Sequence, residues 1–209
     1  MKLQLALDTD SLYWALKFTE KVVDYIDIIE IGTPFVYEEG MHAVRAFHKH
    51  FREKELLADL KIMDGGAFEA MQAYEAGADY ITIMAVTDIL TVKAAIAETN
   101  KWGKQAVIDF LCEPNMEQKI REMEEVGAHY LAVHTGADQQ AAGRTPLEDL
   151  KMMTAHAKYS KIAVAGGISS QTVAQYAALK PDIVIVGSAI IRAKDPVDEA
   201  KRIREALQG

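Results

Sequence analysis

Seven titratable side chains of this 209-residue chain stand where short apolar runs give way to loops: Asp8, Glu30, Asp59, Lys61, Asp64, Asp109 and His134. Ionised groups are costly inside an apolar strand, so their recurrence at such exits needs a reason. The sharpest set is Asp59-Leu-Lys61-Ile-Met-Asp64. In an extended strand residues 59 and 61 share a face, which points Asp59 and Lys61 the same way. A lysine flanked by carboxylates keeps its proton. It then serves as a fixed cation or proton donor beside a developing oxyanion, not as the neutral amine that Schiff-base chemistry requires. A structural ion pair at a strand end would show the same spacing. Glu30 and Asp59 suit a hard divalent ion, since Mg²⁺ takes one or two protein carboxylates and leaves places for water and substrate oxygens. Mn²⁺ accepts the same oxygen ligands. His134 ends its own apolar run, and its intrinsic pKa near neutrality fits proton transfer.

A second group of residues suits an anion. Ala165-Gly166-Gly167-Ile168-Ser169 and Val186-Gly187-Ser188-Ala189-Ile190 each follow an apolar run. Glycines there let the backbone approach a phosphate closely, and a short helix start adds N–H donors. Arg192 lies five residues beyond Gly187 and can close a charge-assisted contact. The other histidines read as solvated helix residues (His42, His48, His50, His156) or as a strand start (His129), and nothing pairs Cys112 with a base.

The elements that must position these residues alternate along the whole chain. Nearly continuous apolar runs at 3–8, 27–31, 55–62, 80–84, 105–110, 130–134, 161–165 and 183–186 have the pattern of parallel strands buried on both faces. Amphipathic helices are expected between them at 11–24, 37–51, 67–75, 90–100, 116–126, 146–158, 169–179 and 196–207, several starting on a capping residue or proline: Ser11, Asp88, Asn115, Thr145-Pro146, Ser169 and Asp195-Pro196. The phrases Glu75-Ala-Gly77-Ala-Asp79-Tyr80 and Glu125-Val-Gly127-Ala-His129-Tyr130 rhyme, each with a glycine cap before a strand. Eight βα units with no spare segment predict a single-domain (β/α)8 TIM barrel over residues 1–209, against an open doubly wound sheet as the rival. In such a barrel the loops after strands seven and eight form the recurrent phosphate site.

Composition narrows the function classes. The chain is 50% hydrophobic and 26% charged, with a net charge of 23 − 31 = −8. That balance argues against nucleic acid and against an anionic membrane surface, both of which need basic patches. No apolar run approaches the roughly 20 residues of a bilayer span. One cysteine permits no intrachain disulfide, and a cytoplasmic location is expected.

Taken together, LALD, EIGTP, ADLKIMD, VHTGADQQAAG, VAGGI and VGSAII resemble the orotidine-5′-monophosphate decarboxylase superfamily, in its branch of hexulose-phosphate synthases and keto-gulonate-phosphate decarboxylases. The resemblance spans essentially the whole chain, and Asp59, Lys61 and Asp64 fall on the superfamily's DxKxxD element. It implies an Mg²⁺-dependent aldol condensation of formaldehyde with D-ribulose 5-phosphate, through a metal-stabilised 1,2-enediolate, to D-arabino-hex-3-ulose 6-phosphate. Glu30 and Asp59 would hold the metal, Lys61 would add charge beside the oxyanion, and His134 would move the proton. Asp8 would meet sugar hydroxyls or orient Lys61. A homodimer with sites at the interface is also implied, Asp64 being supplied across it. The related decarboxylase usually has an arginine where this chain has Ala137 and TGG where it has Ala165-Gly166-Gly167; both departures favour the synthase. A non-catalytic sugar-phosphate-binding barrel would need none of the strand-end acids.

Overall fold

A computed structural model describes residues 1–208. Eight parallel strands close into a barrel in sequence order: β1 (Lys2–Leu7), β2 (Ile28–Ile31), β3 (Glu55–Ile62), β4 (Tyr80–Met84), β5 (Gln105–Asp109), β6 (Tyr130–His134), β7 (Lys161–Ala165) and β8 (Ile183–Val186). The first and last strands pair from Lys2↔Ile183 to Leu5↔Val186, which excludes the open sheet. The helices outside are α1 (Leu12–Val22), α2 (Thr33–Glu39), α3 (Met41–His50), α4 (Gly66–Glu75), α5 (Ile89–Trp102), α6 (Met116–Glu125), α7 (Ala137–Ala141), α8 (Leu147–His156), α9 (Val173–Ala177), α10 (Ser188–Ile191) and α11 (Pro196–Gln208). Among the described residues no helix is long and apolar enough to cross a membrane.

The strands lie where apolar runs predicted them, within a residue at either end. The helices differ more. The single helix expected at 37–51 is two, α2 and α3, because Thr33-Pro34 starts a turn earlier and Gly40 interrupts the spiral. Ser11 and Asp88 cap as expected, accepting the N–H of Trp14 and Leu90. Asn115 makes no capping bond, and Ser169 lies before α9, which starts only at Val173. The rhyming glycines hold: Gly77 and Gly127 have φ of 104° and 83°. Ala78 N–H reaches back to Ala73 and Ala128 N–H to Met123, the six-to-one bond of a Schellman ending.

Two apolar regions make the core. One lies between sheet and helices; the other, inside the barrel, includes Ile28, Leu57, Tyr80, Val107, Tyr130 and Ile183. The barrel's N-terminal end is held by a repeated device. The residue just before each even strand accepts, through its side chain, the N–H of the second residue of the preceding odd strand. Asp27 takes Leu3 at 2.8 Å, Asp79 takes Leu56 at 3.0 Å, His129 takes Ala106 at 3.2 Å and Asp182 takes Ile162 at 2.8 Å. The carbonyls of the same four residues accept the first N–H of the next odd strand: Glu55, Gln105, Lys161 and, closing the circle, Lys2. His129 must be neutral to accept at Nδ1, and burial holds its pKa below the ordinary value.

Candidate active site

The barrel's C-terminal mouth opens on a cavity of about 590 Å³. Asp8, Glu30, Asp59, Lys61 and His134 line it, together with Gly166, Gly167, Gly187, Ser188 and Arg192. Strand ends carry the first set, and the β7 and β8 loops carry the second. Asp64 departs from this grouping: it is exposed, does not line its own chain's cavity, and accepts the N–H of Gly65 at 2.7 Å.

The acid–base groups form a chain of contacts. Lys61 Nζ donates to Asp59 Oδ2 at 2.7 Å and lies 3.5 Å from Asp109 Oδ2. Asp109 Oδ2 also accepts from His134 Nδ1 at 2.8 Å, while its Oδ1 accepts the N–H of Leu111 at 2.9 Å. Burial opposes the Lys61 ammonium, but the charges of Asp59 and Asp109 more than offset it and raise its pKa. It is a fixed cation. Burial likewise opposes the His134 cation, and the Asp109 carboxylate overcomes this, raising the imidazole above its ordinary value. Asp109 itself is held below the carboxylate range despite burial, by His134, Lys61 and the Leu111 N–H. With Nδ1–H donated to Asp109, the neutral ring carries its lone pair on Nε2.

Lys61 reaches this place by an unexpected route. The strand is not extended there: pairing with β4 slips between Ala58 and Ile62, and Lys61 has φ of 49°. The contact of Asp59 with Lys61 was legible, but the alternation that predicted it is not what produces it.

Glu30 and Asp59 are both buried in the cavity wall. Burial and then the charge of Asp59 push Glu30 up to about 8, although Gln4 Nε2 donates to its Oε2 at 2.6 Å. Gln4 Oε1 is buried with no partner among the described residues. Two mutually repelling carboxylates beside an unused carbonyl oxygen fit a divalent cation of the Mg²⁺ kind, which keeps water and substrate in its other positions. Among the described residues no three His, Cys, Asp or Glu gather around one point, so the protein would supply part of a coordination shell only.

Glu30 also sets a pH dependence. The native chain binds its proton more tightly than the unfolded chain between pH 4.5 and about 8. Stability therefore falls across that window as pH rises. In cation-free buffer at pH 8.5, Glu30→Gln is expected to melt several degrees above the parent, and at pH 4.5 to match it. A variant that melts lower at pH 8.5 would show that Glu30 is stabilised as a carboxylate.

Close backbone approaches shape the rest of the mouth. A Cβ at Gly32 would stand 2.2 Å from Asp8 Oδ1, so only glycine lets Asp8 occupy its place. Burial and the charge of Asp59 raise the pKa of Asp8. Gly166 has φ of 125°, and a Cβ there would stand 2.7 Å from Thr135 O. Arg192 has no ion-pair partner among the described residues, which leaves its charge for a ligand. Five further residues contribute: Gln4 and Asp109, already described; Thr33 and Thr82, which donate to Asp59; and Gln140, which donates to Thr135 O. Gln4 and Thr82 were visible as lone polar residues in LQLAL and YITIM. Thr33 and Gln140 lie in helical turns with no such contrast.

A family model described as orotidine 5′-phosphate decarboxylase / HUMPS family matches residues 1–203. The chain belongs to that family. It is 46% identical over 209 residues to the 3-hexulose-6-phosphate synthase of Staphylococcus epidermidis, covering 100% of both chains. The crystal structure of 3-hexulose-6-phosphate synthase from Salmonella typhimurium is 53% identical, with a TM-score of 0.98 over 100% of this chain and 99% of that one. The 3-keto-L-gulonate-6-phosphate decarboxylase of Vibrio cholerae is more distant, 28% identical with a TM-score of 0.88 over 99% of this chain and 97% of that one. The family expected from the strand-end motifs is thereby the family found.

Proposed function

We propose that the chain is an aldehyde-lyase, a 3-hexulose-6-phosphate synthase that joins formaldehyde to C1 of D-ribulose 5-phosphate. The observation that carries this reading is one cavity with two unlike ends. An ammonium fixed between Asp59 and Asp109, with His134 alongside, faces a glycine-lined end bearing the unpaired Arg192. The full-length likeness to proteins named 3-hexulose-6-phosphate synthase supports the same reaction.

In this reading Gly166, Gly167, Gly187, Ser188 and Arg192 hold the phosphate and so fix the sugar's register. His134 Nε2 takes the proton from C1, and the electron pair left behind forms the 1,2-enediolate. Lys61 stands beside the oxygens on which negative charge grows. The C1 carbanion attacks the formaldehyde carbon, the carbonyl electrons move to its oxygen, and that oxygen takes a proton from a site acid. Asp8 accepts from sugar hydroxyls. Glu30 and Asp59 would hold Mg²⁺, or Mn²⁺, which when bound adds charge stabilisation to the developing oxyanion.

Asp64 fits as a residue lent to a second subunit. It is exposed on the mouth side next to Met63, and Phe68, Val86 and Leu90, on or just after the β3 and β4 loops, are large exposed apolar side chains. We take these to face a second copy in a homodimer, working in the cytoplasm as the lone cysteine suggests.

The deciding experiment measures formaldehyde consumption with ribulose 5-phosphate, with and without Mg²⁺, beside CO₂ release from 3-keto-L-gulonate 6-phosphate. Metal-dependent formaldehyde loss far exceeding CO₂ release is expected. Dominant CO₂ release would overturn the reading in favour of the decarboxylase.

A further inference from the structure

Lys61 owes its position to a backbone that lysine does not favour. Its φ of 49° is in the left-handed region, where a Cβ crowds the following carbonyl. Between the pairs Ala58↔Ile81 and Ile62↔Ile83, β3 advances four residues while β4 advances two. This bulge takes the Lys61 N–H out of the strand ladder, and a part-buried N–H is held in place by another acceptor. Thr82 provides it: Lys61 N–H donates to Thr82 Oγ1 at 2.9 Å.

The same hydroxyl donates to Asp59 Oδ1 at 2.7 Å. Its polarity is fixed, because an N–H can only donate, so the single hydroxyl proton is directed to the carboxylate. Asp59 in turn holds the Lys61 ammonium on its other oxygen. Thr82, the Lys61 backbone, the Lys61 ammonium and Asp59 therefore close one loop of contacts around the bulge.

We propose that Thr82 is a positioning residue for the reaction: its hydroxyl locks the left-handed turn that stands the Lys61 ammonium between Asp59 and Asp109. The inference rests on the role given to Lys61 above. Valine has the shape of threonine without the hydroxyl, so Thr82→Val leaves the Lys61 N–H and Asp59 Oδ1 without partners while the volume is kept.

The experiment compares Thr82→Val, Thr82→Ser and the parent, each also combined with Lys61→Ala. Thr82→Val is expected to lower kcat on the order of 10²-fold, with KM for ribulose 5-phosphate changed by less than about threefold. Thr82→Ser restores most of kcat, and Thr82→Val produces no further fall in the Lys61→Ala background. A kcat unchanged in Thr82→Val, or an equal fall without the lysine side chain, would overturn the proposal. Hydrogen exchange at the Lys61 amide supplies a reading that does not depend on the reaction: its protection is lost in Thr82→Val and kept in Thr82→Ser. Retained protection in Thr82→Val also overturns it. An inactive parent with this exchange pattern would instead count against the proposed reaction alone. If Thr82→Val does not fold, Thr82→Ala carries the same measurements.

Discussion

Asp59→Ala is expected to lower formaldehyde consumption by about 10³-fold or more while leaving ribulose 5-phosphate affinity within about threefold of the parent. The substitution strips the cavity of the carboxylate that holds Lys61 at 2.7 Å and that repels Glu30. It leaves untouched the glycine loops and Arg192 at the other end of the cavity, where the proposed reading seats the sugar's phosphate. A barrel that merely binds sugar phosphates would be indifferent to the change, and turnover at the parental rate would remove Asp59 from the proposed metal site. The same variant tests the proposed sharing of sites between two subunits. Asp64→Ala should also be inactive, yet equal amounts of the two variants, allowed to exchange subunits, should recover about one quarter of parental activity. Half of the dimers are then mixed, and each has one site with both acids intact. No recovery, with mixed dimers demonstrated by mass after one variant has been isotope-labelled, would place Asp64 in its own chain's chemistry or outside it.

The second large effect is that of Asp109→Asn. Asp109 Oδ1 accepts the Leu111 N–H, which keeps the amide oxygen of an asparagine on that side and turns its NH₂ toward His134 Nδ1. The ring must then accept at Nδ1 and carry its proton on Nε2, the tautomer that cannot take a proton from substrate. The NH₂ also confronts the Lys61 ammonium, now without one of its counter-charges. A fall in kcat/KM of about 10²- to 10⁴-fold is expected. The pH profile should move as well. In the parent, Asp109 outweighs burial and lifts His134 above the ordinary imidazole value, so the acidic limb is expected above that of a free imidazole. Without the carboxylate, burial prevails and the limb shifts to lower pH. Histidine ring ¹⁵N shifts report the tautomer directly. Parental rates with an unmoved limb would show that His134 does not transfer the proton.

The barrel was legible because each strand is an apolar run and each helix-to-strand joint has its own punctuation. What escaped were short elements decided by packing: α2 at Thr33-Pro34, α7 and α10, none longer than seven residues. The acids and the lysine announced themselves as charges at apolar ends. Asp109 was seen there too, but its partnership with His134 depends on neighbouring strands lying in register across 25 residues of sequence. Thr82 and Gln4 obey the same rule of a polar residue in an apolar run, without a charge to draw notice. The turn at Lys61 had no sequence signature at all, since lysine has no preference for positive φ and the hydroxyl that accepts its N–H lies on another strand.

The ring formed by Asp27, Asp79, His129 and Asp182 gives the barrel no seam. Asp182 treats β1 as Asp27 treats β3, so the joint between the chain's two ends is bonded like the three other joints from an even strand to the next odd one. Two strands and the residue between them are the repeating tile, four tiles make the cylinder, and each tile contains its clamp within continuous sequence. Termini relocated to α3 or α5, between tiles, would leave all four clamps covalently local, whereas termini in α1 or α4 would split one. All four clamps lie at the N-terminal end, opposite the cavity mouth. Loops at that mouth are thus free to diverge over a base whose closure does not consult them.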